Sequence, residues 1–123
     1  MRYSFTEHAR RRFVQRSDKR FKHLDECNLE NCPSCERIKK EIRVRLCDNR
    51  KSVNRDMASY LGNAKLSKAH LNDSNFMDYV YRRYGIDRKF DFMVSGHLVF
   101  VVVYGKNDKV VVTVMDLKRN SIW

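Results

Sequence analysis

Apolar positions recur every fourth residue at the start of this chain: Phe5, Ala9 and Phe13 form one stripe of a helix that runs to about Arg16. Ser4-Phe5-Thr6-Glu7 fits a capping box, with Ser4 as N-cap and Glu7 three residues on. From Asp18 to Ser34 no period survives, and residues 18–35 read as a Cys-rich loop insertion. Pro33 suits the first turn of a second helix, along which Ile38, Ile42 and Leu46 return at helical spacing. Within it, Ile42-Arg43-Val44-Arg45-Leu46 also alternates as a strand would. Ser52 can cap a third helix through Val53, Met57, Tyr60 and Leu61, with Gly62 as its stop. Asn72-Asp73-Ser74 opens a fourth, which carries Met77, Val80, Tyr81 and Tyr84 and ends at Gly85.

Beyond Gly85 the pattern becomes β-branched and aromatic. Phe90–Val94, His97–Tyr104 and Val110–Met115, joined by Ser95-Gly96 and by Gly105-Lys106-Asn107-Asp108, predict an antiparallel meander. These strands are apolar on both faces, so helices or a partner are expected to cover both. The fold class expected is therefore α+β: N-terminal helices followed by a C-terminal antiparallel sheet of three to four strands, with a metal-binding loop insertion. At 123 residues the chain has room for a single domain spanning 1–123.

Composition adds the partner class. The chain carries 26 Lys+Arg against 15 Asp+Glu, a formal charge of +11. Residues 1–55 hold 16 of those bases and 8 of the acids, so the N-terminal half builds most of the basic surface. Such a field attracts polyanions, RNA or DNA, or an acidic protein partner. Leu98 to Tyr104, the longest apolar run, is too short to span a bilayer, and the first helix lacks the clean apolar face of a membrane-surface helix. No membrane partner is expected. Met1-Arg2-Tyr3-Ser4-Phe5 leads straight into charged residues rather than an export signal, so a cytoplasmic location is expected. A sheet apolar on both sides also permits a dimer.

Four cysteines in such a setting point to thiols or metal ligands before disulfides. His23-x3-Cys27-x4-Cys32-x2-Cys35 is the donor set of a tetrahedral, structural Zn²⁺ site with no position left for substrate. The surrounding segment has little apolar material to fold on, and a bound metal would supply the order. Cys47 in place of His23, a plant-type iron–sulfur spacing, and a redox-active Cys32–Cys35 pair are the alternatives. A metal here would also fix Lys19, Arg20, Lys22, Arg37, Lys39 and Lys40 around it for nucleic acid, although Lys39 and Lys40 equally suit a solvated helix face.

His8 and Arg12 lie four apart and stack on one side of the first helix, beside its apolar stripe, with Arg16 one turn further on. They are thus expected at the junction of helix and sheet, while Arg10 and Arg11 point elsewhere and can hold phosphates. RNA cleavage by 2′-hydroxyl attack needs a base, a cation for the phosphorane charge and an acid. Histidine suits the proton transfers and guanidinium suits the charge. In the plainer reading His8 is a boundary residue and the arginines only grip phosphate.

Phe5-Thr6-Glu7-His8-Ala9-x-x-Arg12-x-x-x-Arg16 resembles the opening helix of small RelE/BrnT-like proteins, and the His-x-x-x-Arg helix of the RegB endoribonucleases of bacteriophage. The segment from Phe92 to Val103 is similar to the paired central strands of that superfamily, with Val110–Met115 as the strand after them. The resemblance implies helices before a curved antiparallel sheet, an active site between them, and metal-independent endoribonuclease activity with His8 and Arg12 catalytic. With the helix motif and this resemblance, RNA is expected before DNA, and an antitoxin-like protein is the acidic partner considered. It further implies a second histidine, for which His97 at a strand start is favoured over His70 in a helix–helix connection. Tyr104, Lys118 and Arg119 would be the basic and tyrosine side chains of the sheet and C-terminal segment, Lys118 and Arg119 contacting nucleic acid. The middle of the chain, Lys19 to Lys89, is longer than those families usually carry.

Overall fold

The opening of the chain is a strand before it is a helix. In the computed structural model, which describes residues 2–68, 74–84, 89–105 and 107–116, β1 (Arg2–Phe5) runs parallel to β5 (Asp108–Asp116), with Tyr3 opposite Lys109 and Phe5 opposite Val111. Ser4, expected as the helix cap, instead donates through Oγ to Asp108 Oδ2 at 2.9 Å. The cap is Thr6, whose Oγ1 accepts from the Ala9 N–H at 3.0 Å, so α1 begins at Glu7 and ends at Ser17. Strand pairing commits the Ser4 backbone to the sheet, and capping passes to the next hydroxyl along the chain.

The helices then follow. A single 3-10 turn (Lys19–Phe21) and α2 (Lys22–Glu26) occupy much of the segment expected as a loop. Pro33 opens α3 (Pro33–Asp48), which stays helical through Ile42–Leu46 because Ile38, Ile42 and Leu46 all need the same buried face. α4 (Arg50–Gly62) starts two residues before Ser52, with Asn49 at its N-cap position, and stops at Gly62. α5 (Ser74–Tyr84) begins at the expected Ser74; Asn72, Asp73 and Gly85 lie outside the described residues.

β3 (Phe90–Ser95), β4 (Leu98–Tyr104) and β5 form the expected antiparallel meander. The sheet is wider than the meander: β1 joins one edge in parallel, and β2 (Lys65–Leu66) pairs antiparallel with Val94 and Met93 at the other. The order is β1-β5-β4-β3-β2, a mixed sheet of five strands. Gly96 and His97 form the β3–β4 turn, with Gly96 at φ 60, a conformation that favours glycine.

Both sheet faces are covered by helices. On one, Ala9, Phe13 and Val14 of α1, Ile38, Ile42 and Leu46 of α3, and Val53, Met57 and Leu61 of α4 pack on the sheet, which offers Leu98, Phe100, Val102, Val111 and Val114. Phe13 meets Tyr60 edge-on at 5.3 Å between ring centroids. On the other, Val80 of α5 packs with Phe92, Val99, Val101 and Met115. β4, central in the sheet, is accordingly buried from Leu98 to Val103.

A bulge in β5 positions α1. Val101 pairs with Thr113 and Val102 with Val111, leaving Val112 unmatched. The Thr6 N–H takes the Val111 carbonyl at 3.2 Å, and the Thr6 hydroxyl takes that of Val112, also at 3.2 Å. Further along, Arg16 Nη1 donates to the Val114 carbonyl at 2.6 Å. The helix is thereby laid along the part of β5 that β1 does not reach.

Candidate metal centre and basic helix face

His23 and Cys27 stand four apart, His23 on α2 and Cys27 just after it, with the Cys27 N–H bonded to the His23 carbonyl at 2.9 Å. Asn31, at φ 55, reverses the chain; asparagine is among the few non-glycine residues that accept this conformation. Cys32 is the N-cap residue of α3 and Cys35 lies in its first turn. The four donor atoms all fall within 4.8 Å of one another, and His23 Nε2 is 3.4 Å from Cys32 Sγ. One imidazole and three thiols at this spacing match a tetrahedral site: bonds of about 2.1 Å to nitrogen and about 2.3 Å to sulfur put the donors roughly 3.6–3.8 Å apart.

The four cysteines are all unpaired thiols. A hydrogen bond from His23, helped by the Cys35 N–H, lowers the Cys32 thiol to about 6. Burial, then hydrogen bonds with Cys27 and Cys32, pushes Cys35 up to about 11. Cys47 is exposed at the other end of α3, twelve residues and so roughly 18 Å along the axis from Cys35. The straight helix never returns it to the group of four side chains that could hold a metal ion, which His23 completes.

His8 is half-buried on α1, and its pKa lies below the usual 6.5, first through burial and then through the guanidinium groups of Arg12, Arg83, Arg11 and Arg16. Arg12 is also half-buried, and donates from Nη1 to Gln15 Oε1 at 2.9 Å. Gln15, almost fully buried, in turn donates from Nε2 to Asp25 Oδ1 on α2. Burial and Arg16 lower the Arg12 pKa, against the opposing pull of Asp25 and Tyr79. A guanidinium stays charged at neutral pH regardless.

The remaining basic candidates divide sharply. Arg10 is turned onto α4, donating from Nε to Asn54 Oδ1 at 2.8 Å and from Nη1 to Glu7 at 3.1 Å. Arg16 braces the sheet through Val114 and lies 3.7 Å from Asp25, its Nε buried without a hydrogen-bond partner among the described residues. Arg20 pairs with Asp18 at 2.8 Å and rests over the Phe21 ring, while Lys22 pairs with Glu26 at 3.5 Å. Arg11, Lys19 and Arg37 are exposed.

His97 sits in the β3–β4 turn rather than at a strand start, and its Nε2 lies 3.0 Å from the Arg16 carbonyl. A carbonyl only accepts, so Nε2 carries the proton and closes one of the carbonyls left open at the end of α1. His70, Lys118 and Arg119 lie outside the described residues. Tyr104 bonds to Asp91 and lies beside Lys109.

Sequence reasoning passed over Arg83 and Tyr79, which α5 brings into the field of His8 and Arg12. Tyr79 and Arg83 stand four apart on α5, the same spacing as His8 and Arg12, and that was the available signal. Comparison with protein-family models, with curated proteins and with solved structures found no match to this chain. Among the described residues no helix is long and apolar enough to cross a membrane.

Proposed function

We propose that this protein is an RNA-binding endoribonuclease that cleaves by metal-independent 2′-hydroxyl attack, with a structural zinc bracing the segment between α1 and α3. The observation that carries the reading is His8: a histidine on a half-buried helix face one turn from Arg12, its pKa lowered first by burial and then by the charges of Arg12, Arg83, Arg11 and Arg16. Neutral imidazole accepts a proton, and arginine matches phosphate oxygens. His8 takes the 2′-hydroxyl proton as O2′ attacks phosphorus and the bond to O5′ breaks. Arg12 and Arg83 offset the charge on the non-bridging oxygens. Tyr79, within electrostatic range of Arg12, is the candidate donor to the departing O5′. The products are a 2′,3′-cyclic phosphate and a 5′-hydroxyl.

His23, Cys27, Cys32 and Cys35 would hold the zinc, which supplies folding free energy rather than a reactive position. Zinc is favoured because three thiolates and one imidazole close a tetrahedron, whereas a cluster of the iron–sulfur type calls for a fourth thiolate that Cys47 is too far away to give.

The test is a labelled mixed-sequence RNA incubated in EDTA with wild type and with His8→Ala. Cleavage by wild type that leaves 2′,3′-cyclic phosphate ends, lost in the variant while RNA binding persists, is the expected result. A gel shift with intact RNA in every lane rules out catalysis. One observation favours that second reading, a non-catalytic nucleic-acid-binding module: His97, the expected second histidine, is spent on the Arg16 carbonyl.

A further inference from the structure

Between α1 and α3 lies a cleft of about 580 Å³, floored by Gln15 and Ile42 and closed at one end by the Cys27–Cys35 segment. Its charges are one-sided. Arg11 and Arg12 enter from α1, and Lys39 and Arg43 from α3. The single carboxylate lining it, Glu36, is 3.7 Å from Lys39. Arg11 and Arg43 have no carboxylate within 4 Å among the described residues, in contrast to Arg20, Lys22, Arg45 and Arg50, which all pair with acids. Four cations brought together against one acid repel one another, and that cost is offset when anions lie between them.

The wall made by the metal segment differs in kind. Leu29 is 76% exposed, the most exposed large apolar side chain among the described residues, and beside it Asn31 offers an amide. Beside the cations, an apolar side chain and an amide give an unpaired base a surface to lie against and hydrogen-bonding groups for its edge, which a bare phosphate backbone would leave unused. Arg12 belongs both to this cleft and to the surroundings of His8, so a strand lying in the cleft leads to that histidine.

We infer that the α1–α3 cleft is the binding path for single-stranded RNA, with Arg11, Arg12, Lys39 and Arg43 on its phosphates and Leu29 and Asn31 of the metal-held segment on a base. This rests on the proposed RNA-binding function and adds where the strand runs and in which form. Neither Arg43 nor Leu29 and Asn31 stood out as nucleic-acid contacts in the sequence.

The experiment measures anisotropy of a fluorescein-labelled single-stranded RNA of about 12 nucleotides, within the range of such sites. It compares wild type, R11A/R43A, and K51A/R55A as a control that removes equal charge from the exposed surface of α4. Metal content of all three is checked first by elemental analysis, so that an intact segment is compared throughout. R11A/R43A is expected to weaken binding by about tenfold or more and to make the log–log salt dependence shallower by about 1.4, two contacts at about 0.7 each. The control is expected to stay within about threefold of wild type. Equal losses in the two double variants overturn the cleft while leaving RNA binding in place. Equal or tighter binding of a duplex of the same sequence overturns the single-stranded form. No binding by wild type removes the proposed function and the cleft together.

Discussion

Protonation of His8 would add a positive charge to a face where Arg11, Arg12, Arg16 and Arg83 already raise the potential. Burial first, and those charges second, make the folded group titrate below the ordinary 6.5, while in the unfolded chain it stays near that value. In the interval between the two, the unfolded chain binds the proton and the folded chain does not. Stability from this source is full above about pH 6.5 and declines as the pH falls. A nuclear magnetic resonance titration should place the His8 ring below 6.5, and Arg83→Ala should move it part of the way back. Only part is recovered, because burial is the larger cause; no movement at all would deny that the Arg83 charge acts on His8. At the other end of α1, His97→Ala removes the donor to the Arg16 carbonyl. The expected loss is about 1 kcal/mol, read from the urea midpoint at unchanged slope.

α2 has five residues, too few to hold a helix by itself, and no residue of it is fully buried. Asp25 ties it to Gln15 and Arg16 of α1 and Leu24 packs against the core, while His23 inside it and Cys27 just beyond it would be tied by the proposed zinc to the start of α3. Chelation should therefore melt α2 and fray the first turn of α3, with a fall in far-ultraviolet ellipticity and in Tm that added zinc reverses. Cys35→Ser should lose the metal and Cys47→Ser should keep it, as elemental analysis of the purified variants would report. The elements that the sequence announces are the ones stabilised from within. α3 has Pro33 at its first position and a single buried stripe, α4 has Gly62 at its end, and the meander has dense β-branched runs. Those that it conceals depend on distant partners. β1 is a strand because Asp108–Val111 lie beside it, and the capping box at Ser4 yields to that pairing. β2, two residues long, has no pattern to read. The cluster of His23, Cys27, Cys32 and Cys35 was legible in its spacing, but the choice of His23 over Cys47 was not, because it depends on α3 running straight away from the cluster. The basic contacts were not, because a count of arginines does not distinguish Arg10, spent on Asn54, from Arg11, left in the cleft.

The molecule is organised around a sheet with helices on both faces, an arrangement that the apolar character of its strands demands. Phe100 is fully buried at the centre, its ring 6.1 Å from Phe13 of α1 and 6.2 Å from Tyr60 of α4. Phe100→Ala should cost about 3–5 kcal/mol in equilibrium unfolding, since rings from two helices would face the void. The pairing of β1 with β5 also sets an order of events in time. Ribosomal synthesis produces residues 2–5 well before their partners at 108–111. Until then the Thr6 cap has no bulge to dock on and Arg16 no Val114 carbonyl to hold, so α1 has no seat. A nascent chain thus carries its arginines past the ribosome's own RNA while the face that groups them is still unassembled. Whatever chemistry that face performs is withheld until residues 108–114 have been made and have folded back onto it.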